Sequence, residues 1–281
     1  MTNLSEVLSN IDAYLKTYAV TAIKVNTDDL LFVNITFAEI EHDWPHANYT
    51  DNNPRVYPKD ENQALQVALV ANIHSKEIAS GVYNSKNKAI LITYLPSKSW
   101  VDIKDRLYGV LCHEYMHYLQ DLSNSNIAKA REALTAVDER LDNFEESERL
   151  KATNVKELRK RKRLAKSELW RIYYFNTLEK CAHAGQITFE LVYKALNTDE
   201  MFRPRSIKEA CRRLLLPTTD FNKMVEKSDV WQMIAERIPP SLKTAYLSLI
   251  IKESRHLLSF VISTESNDPA KVPVSEITPK T

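Results

Sequence analysis

The pattern H-E-x-x-H, formed by His113, Glu114 and His117, is the feature that most constrains what this chain can fold into. Apolar residues recur at helical spacing over 103–111, directly before the pattern, which predicts one amphipathic helix through both segments. Positions four apart lie on one face of a helix, so the two imidazoles can converge on a single ion. Glu114 lies one step round the helix, beside that ion.

These three residues have the composition of a zinc site. Catalytic zinc takes three protein ligands and keeps one position open for water. His113 and His117 would supply two of the ligands, and Glu114 would accept a proton from the water. The alternative is that all three are polar residues of a buried helix that hydrogen-bond within the core. The metal site is favoured because the apolar residues before the pattern bury the same helix face that carries it.

Composition excludes several classes of protein. With 281 residues the chain is long enough for a sizeable core, and its net charge of +1 gives no general attraction to nucleic acid or anionic membranes. The three cysteines are odd in number and far apart, which favours a reducing compartment over a disulfide framework. No apolar run is long enough for a membrane span, and the first residues lack a signal-peptide pattern. We therefore expect a cytoplasmic protein with no membrane partner.

The first part of the chain is predicted to contain a helix, a strand and a loop. Spacing of three and four predicts an amphipathic helix over 4–22, and alternation predicts a half-buried strand over 31–37. The polar, proline-containing stretch 39–61 is predicted to be a loop. His42 and His46 in that loop are interpreted as surface residues, since no rigid element holds them in place as ligands.

The segment just before the motif helix is predicted to contain β-structure. Apolar residues over 65–73 fit either a strand or a helix. Two β-rich runs follow at 81–83 and 89–95, joined by a turn-like segment at 84–87. Pro96 ends the second run, and the motif helix begins shortly after it.

This order of elements resembles the zincin metallopeptidase fold, in which strands and a short edge strand precede the H-E-x-x-H helix. The resemblance covers residues 79–121 and 170–195, and it extends to peptidase-like proteins encoded by bacteriophages. It implies that the edge strand runs along the cleft and can pair with an extended peptide substrate.

Classes of zincin differ in their third metal ligand. A metzincin-type pattern would need glycine at Gln120 and histidine at Ser123, and the chain has neither. A gluzincin-type pattern takes a glutamate from a later helix, and the segment 178–186 resembles its E-x-x-A sequence with Glu179 as the glutamate.

The resemblance therefore implies a Zn²⁺ cofactor held by His113, His117 and Glu179. His183 is four residues beyond Glu179 and shares its helix face, so spacing alone leaves it open as the ligand instead. With Glu179 as the ligand, His183 would orient the carboxylate or hydrogen-bond the oxyanion.

The long segment between His117 and Glu179 is predicted to form an antiparallel helical hairpin over 127–172. Its apolar residues repeat at alternating spacings of three and four, the pattern of a coiled coil. Folding the segment back on itself sets acidic residues opposite the basic run 156–166, so we interpret that run as a neutralised helix face. Nucleic acid is not expected to bind there. The hairpin could instead dock a protein partner or a second copy of the chain.

The remainder of the chain is predicted to be helical, with a polar, proline-containing tail. Four segments have helical apolar spacing, 187–196, 206–216, 221–238 and 241–262. The predicted fold class is α+β, mostly α, with a zincin-like core, a small β-sheet, the inserted hairpin and a C-terminal helical region. The predicted domain organisation is an N-terminal zincin sub-domain at 1–122, the hairpin at 123–172, the third-ligand helix and C-terminal helices at 173–262, and the tail at 263–281.

The pattern and the resemblance together imply a zinc-dependent metallopeptidase acting on a peptide or protein substrate. Glu114 would be the general base. His183 is a candidate for stabilising the oxyanion, as are Tyr173 and Tyr174, although core packing is the favoured role for either tyrosine. The alternative is a structural or adaptor protein of a phage particle or its host-takeover machinery, which would use the hairpin for assembly. In that case the protein would lie in the host cytoplasm or in the phage particle.

Overall fold

A computed structural model of the chain describes residues 23–46, 54–59, 64–75, 77–123, 177–198 and 203–263, together with positions 9, 13 and 201. Over these residues the protein is mostly helical with one small mixed sheet, which confirms the predicted α+β, mostly α class. The predicted hairpin, the polar tail, Tyr173 and Tyr174 lie outside the described residues, as does nearly all of the helix predicted over 4–22. The domain boundaries stay predictions.

Helices precede and follow the sheet in the chain. The helices are α1 (Thr27–Asp43), α2 (Trp100–Ser123), α3 (Thr177–Leu196), α4 (Ile207–Leu214), α5 (Phe221–Lys227), α6 (Asp229–Arg237) and α7 (Pro240–Ser263), with a 3-10 turn at Trp44–His46 after α1. The strands are β1 (Arg55–Tyr57), β2 (Gln66–Ala71), β3 (Ala79–Asn84) and β4 (Ala89–Tyr94).

The strand predicted over 31–37 is wrong, because this segment lies inside α1. The helix begins with a capping box, in which Asn26 and Asp29 each accept a hydrogen bond from the other's backbone N–H. Its buried face is formed by Leu30, Val33, Phe37 and Ile40, whose spacing is helical. Leu31 and Ile35 contributed to the alternating apolar pattern that predicted a strand. They are 46% and 49% exposed on the opposite face of the helix.

The loop predicted over 39–61 is also wrong in part. The end of α1 occupies 39–43, and β1 occupies 55–57. His42 is exposed in the last turn of α1, which agrees with its interpretation as a surface residue.

The four strands form one sheet in the order β1-β2-β4-β3. The segment that fitted both a strand and a helix is β2, which pairs in parallel with β4 and antiparallel with β1. β3 and β4 form the predicted antiparallel hairpin, with Ala79 opposite Tyr94 and Asn84 opposite Ala89. β3 is thus an edge strand, whereas β4, the strand directly before the motif helix, is paired on both sides.

The motif helix α2 lies between the sheet and α3. It contacts β3 and β4 on one side and makes its most extensive contacts with α3 on the other. α2 and α3 run antiparallel, because Gln120 near the end of α2 bonds Leu178 at the start of α3, while Tyr108 earlier in α2 bonds the carbonyl of Phe189. Glu114 and His117 are therefore buried between two layers of the fold, and His113 is partly buried there.

The C-terminal helices pack against α3, chiefly through α7 and α4. The segment 221–238, predicted as one helix, is two helices separated at Ser228. The Ser228 hydroxyl accepts a hydrogen bond from the N–H of Trp231 and so caps α6. Across the described residues, no helix combines the length and the apolar character needed to cross a membrane.

Candidate metal centre

The two histidines of the motif and Glu179 converge between α2 and α3. Nε2 of His113 lies 3.1 Å from Nε2 of His117. The carboxylate of Glu179 faces both rings, with Oε2 3.3 Å from Nε2 of His113 and Oε1 3.5 Å from Nε2 of His117. Two segments far apart in the sequence thus bring together the three residues predicted as metal ligands.

These distances match what one tetrahedral ion requires of its ligands. Zinc binds imidazole nitrogen and carboxylate oxygen at about 2.0–2.2 Å, so two ligand atoms of a tetrahedral shell are about 3.3 Å apart. The three distances, 3.1, 3.3 and 3.5 Å, bracket that value. The donor set of two imidazoles and one carboxylate is also one that catalytic zinc sites use.

His183 adds a further nitrogen to the same cluster. His113, Glu179 and His183 each have a ligand atom within 4.8 Å of the others, so this group could hold a metal ion. The rings of His113 and His183 have centroids 4.9 Å apart. The other side of His183 is engaged, since its Nδ1 lies 2.8 Å from the hydroxyl of the fully buried Tyr246 in α7.

Glu179 is a buried carboxylate in a cationic environment. Burial alone would raise its pKa, but the charge that His117 and His113 can carry, with the His113 ring close to Oε2, holds that pKa below the usual range. Its position in the first turn of α3 also favours negative charge, because the helix dipole is positive there. Oε2 of Glu179 makes no hydrogen bond of good geometry to any described residue, which is unusual for a buried carboxylate. A metal ion would satisfy it.

His183 is neutral in this environment. Burial, followed by the repulsion of His113, lowers its pKa to about 3, and the attraction of Glu179 only partly offsets this. A neutral imidazole can either bind a metal or donate a hydrogen bond, depending on which nitrogen carries the proton.

Gln120 is a residue of the centre that sequence reasoning missed. Its side chain is fully buried and bridges the two helices, with Oε1 2.6 Å from Nδ1 of His117 and Nε2 2.8 Å from the carbonyl oxygen of Leu178. The available signal was its position three residues after His117, which places it on the same helix face as the two histidines. Tyr246 has no such signal, because it lies far along the chain in α7.

Glu114 is held against the edge strand. It is only 7% exposed, and its Oε2 accepts a hydrogen bond of 2.8 Å from the backbone N–H of Tyr83 in β3. Gly81 makes this approach possible, since a Cβ there would lie 2.5 Å from Cγ1 of Val110 and 2.8 Å from Cγ of Glu114. The strand therefore fixes the orientation of the carboxylate beside the motif histidines.

A second side chain of α2 also bonds β3. The guanidinium of Arg106 donates to the carbonyl of Ala79 at 3.3 Å. This hydrogen bond and the one between Tyr83 and Glu114 occupy the carbonyl of Ala79 and the N–H of Tyr83. An added peptide strand could otherwise bond these two backbone groups of β3. A substrate could pair along the full length of this edge only if it replaced these two hydrogen bonds with its own.

A cavity of about 490 Å³ opens between α2, α3 and the start of β3, and none of the predicted metal ligands lines it. Gly109, one turn before His113 on α2, and Gln186, about one turn beyond His183 on α3, both line it. The start of β3 and the helix α6 form the remaining wall, through residues that include Glu77 and Arg237.

Comparison of the chain with protein-family models, curated proteins and solved structures found no match. The function is therefore inferred from the residues of the centre and their geometry.

Proposed function

We propose that the protein is a zinc-dependent metallopeptidase, with His113, His117 and Glu179 as metal ligands. The observation that carries the proposal is the set of distances between their ligand atoms, 3.1 to 3.5 Å, beside a glutamate held by the edge strand. Two neutral imidazoles and one carboxylate would leave a bound Zn²⁺ with a net charge of +1. When bound, zinc supplies polarisation of the scissile carbonyl and a lower pKa for a water molecule.

Glu114 is the general base of the proposed reaction. The N–H of Tyr83 holds Oε2 of Glu114, so the carboxylate keeps one orientation and does not have to be ordered at the moment of reaction. Glu114 takes a proton from water and delivers it to the leaving amine of the peptide.

His183 is the proposed donor to the oxyanion. It is neutral, it borders the metal cluster, and Tyr246 contacts its Nδ1. If the Tyr246 hydroxyl donates to Nδ1, the proton of His183 is on Nε2, where it can stabilise negative charge that develops on the substrate oxygen.

The test is metal analysis of the purified protein combined with digestion of a peptide library. We expect zinc at about one ion per chain and cleavage of a defined subset of peptides. Replacement of Glu114 by Gln keeps the size of the side chain and removes the base, so hydrolysis should fall by at least 10²-fold while bound zinc is unchanged. Glu236→Gln, at an exposed position of α6, is the matched control and should cleave like the unmodified protein. Equal activity of Glu114→Gln on a validated substrate would remove the proposal.

A second candidate is a structural metal centre in a scaffold or adaptor protein. It is favoured by the position of His183, because four protein ligands would close a tetrahedral shell and leave no position for water. Cobalt substitution distinguishes the two functions. An added hydroxamate should change the visible spectrum of Co²⁺ in an open site, and it should leave the spectrum of a closed site unchanged.

A further inference from the structure

We infer that Gln120 is a positioning residue that fixes the tautomer of His117 and ties the two ligand-bearing helices together. Through these contacts it leaves the lone pair of His117 on Nε2, where it can bind a metal ion, even in the metal-free protein. The inference deepens the proposed function and rests on its metal site, but its first measurement needs neither metal nor substrate.

The first step is the orientation of the Gln120 amide. Its nitrogen lies 2.8 Å from the backbone carbonyl oxygen of Leu178, and a carbonyl oxygen can only accept a hydrogen bond. The NH₂ group must therefore face Leu178, which leaves the amide oxygen facing His117. The hydrogen-bond network itself assigns the two ends of the amide.

The second step is the proton on His117. Nδ1 lies 2.6 Å from the amide oxygen of Gln120, and that oxygen also can only accept. Nδ1 must carry the proton, so in the neutral ring Nε2 has the lone pair. Nε2 is the atom that faces His113 at 3.1 Å and Glu179 at 3.5 Å, where a metal ion would lie.

The third step is the link between the helices. Leu178 directly precedes Glu179, so one amide holds a ligand of α2 and the backbone beside a ligand of α3. An apolar side chain of similar length, such as Met, would fill the same space without either bond. The buried carbonyl of Leu178 would then lose this partner, and His117 would be released to the tautomer with its proton on Nε2.

The conservative variant Gln120→Glu separates the two roles. A carboxylate accepts from Nδ1 of His117 as the amide oxygen does, so the tautomer should be retained. It has no N–H to donate to Leu178, so the link between the helices should be lost. Gln120→Met should lose both.

The experiment measures histidine tautomers by long-range ¹H–¹⁵N NMR in the metal-free protein, with His117 assigned from the spectrum of His117→Gln. We expect the Nδ1–H tautomer in the unmodified protein and in Gln120→Glu, and its loss in Gln120→Met. A competitive chelator titration should show zinc affinity reduced about ten- to hundred-fold in Gln120→Met, with a smaller loss in Gln120→Glu. Gln232→Met is the matched control, since Gln232 is an exposed residue of α6. It should leave the His117 tautomer and the zinc affinity unchanged.

Two results would overturn the inference. One is an Nε2–H tautomer of His117 in the unmodified, metal-free protein. The other is a Gln120→Met variant with unchanged tautomer and unchanged zinc affinity. If Gln120→Met does not fold, the unmodified protein and Gln120→Glu still decide the tautomer. A chain that has the Nδ1–H tautomer and binds zinc but cleaves no peptide would support the inference and overturn only the proposed function.

Discussion

Among single residues, Glu179 and His183 are the two candidates for the third ligand of the proposed metal site. Both lie on one face of α3, and each has a ligand atom close to His113. Glu179 is the better ligand on geometry, because its two oxygens reach both motif histidines at 3.3 and 3.5 Å. It is also ionised, whereas His183 contacts Tyr246 on its other side.

The prediction is that Glu179→Ala weakens zinc binding more than His183→Ala does. Loss of a direct ligand should cost well over the ten- to hundred-fold that loss of a supporting side chain typically costs, and His183→Ala should fall within that range. A competitive chelator titration of the two variants measures both effects. The reverse order would assign His183, with His113 and His117, to a three-histidine site.

The residues of the centre differ in how far the sequence could predict them. His113, Glu114 and His117 form a local pattern, and their helical spacing alone places them on one side of α2. Gln120 and Tyr246 belong to no pattern, because their roles arise from the antiparallel approach of α2 and α3 and from the packing of α7 on α3. Long-range packing of this kind is not encoded in residue spacing.

At the scale of elements, the approach of β3 to α2 depends on Gly81. A Cβ at that position would lie 2.5 Å from a methyl group of Val110, which is branched and buried and has little room to move. At Gly109, in contrast, a Cβ would meet the end of the Gln186 side chain at 2.7 Å, and that flexible end can shift.

We predict that alanine lowers the stability of the fold at Gly81 and changes it little at Gly109. Gly81→Ala should destabilise the fold by about 1–3 kcal/mol by overpacking, and it should reduce hydrolysis because Glu114 is displaced. Gly109→Ala should be nearly neutral, since it gains up to about 1 kcal/mol of helix propensity against the cost of moving Gln186. Urea unfolding of both variants measures the difference. Equal stability of the two would mean that β3 can move away from α2 at little cost.

The sequence predicted the elements around the motif better than those near the start of the chain. The β3-β4 hairpin and α2 were predicted correctly because turn residues and Pro96 separate their apolar runs. In α1 the apolar residues of both helix faces, such as Val33 and the exposed Ile35, produced an alternation that is typical of a strand. The capping pair Asn26 and Asp29 was the local signal for a helix, and the alternation obscured it.

In the molecule as a whole, three elements besides α2 contribute to the centre. β3 covers one side through Glu114, α3 supplies Glu179 and His183, and α7 supports His183 through Tyr246. The predominance of helix followed from the sequence, since apolar spacing of three and four recurs along most of the chain. The order of the strands and the parallel pairing of β2 with β4 did not, because they depend on contacts between distant segments.

The end of α2 and the start of α3 flank the predicted hairpin, and their closeness leads to the last prediction. Gln120, just before the end of α2, bonds Leu178, just after the start of α3, so the end of one helix lies close to the start of the other. A short connection can therefore join the two helices, and a shorter loop costs less entropy to close. Replacing the predicted arm, with 138–166 at its centre, by a short Gly/Ser turn from Asn126 to Trp170 should leave a soluble core with the same zinc content and a cooperative thermal transition. Circular dichroism and metal analysis measure both, and the matched control is a turn of the same composition inserted into the intact segment. Loss of the folded signal in the shortened chain alone would show that the predicted arm is part of the core.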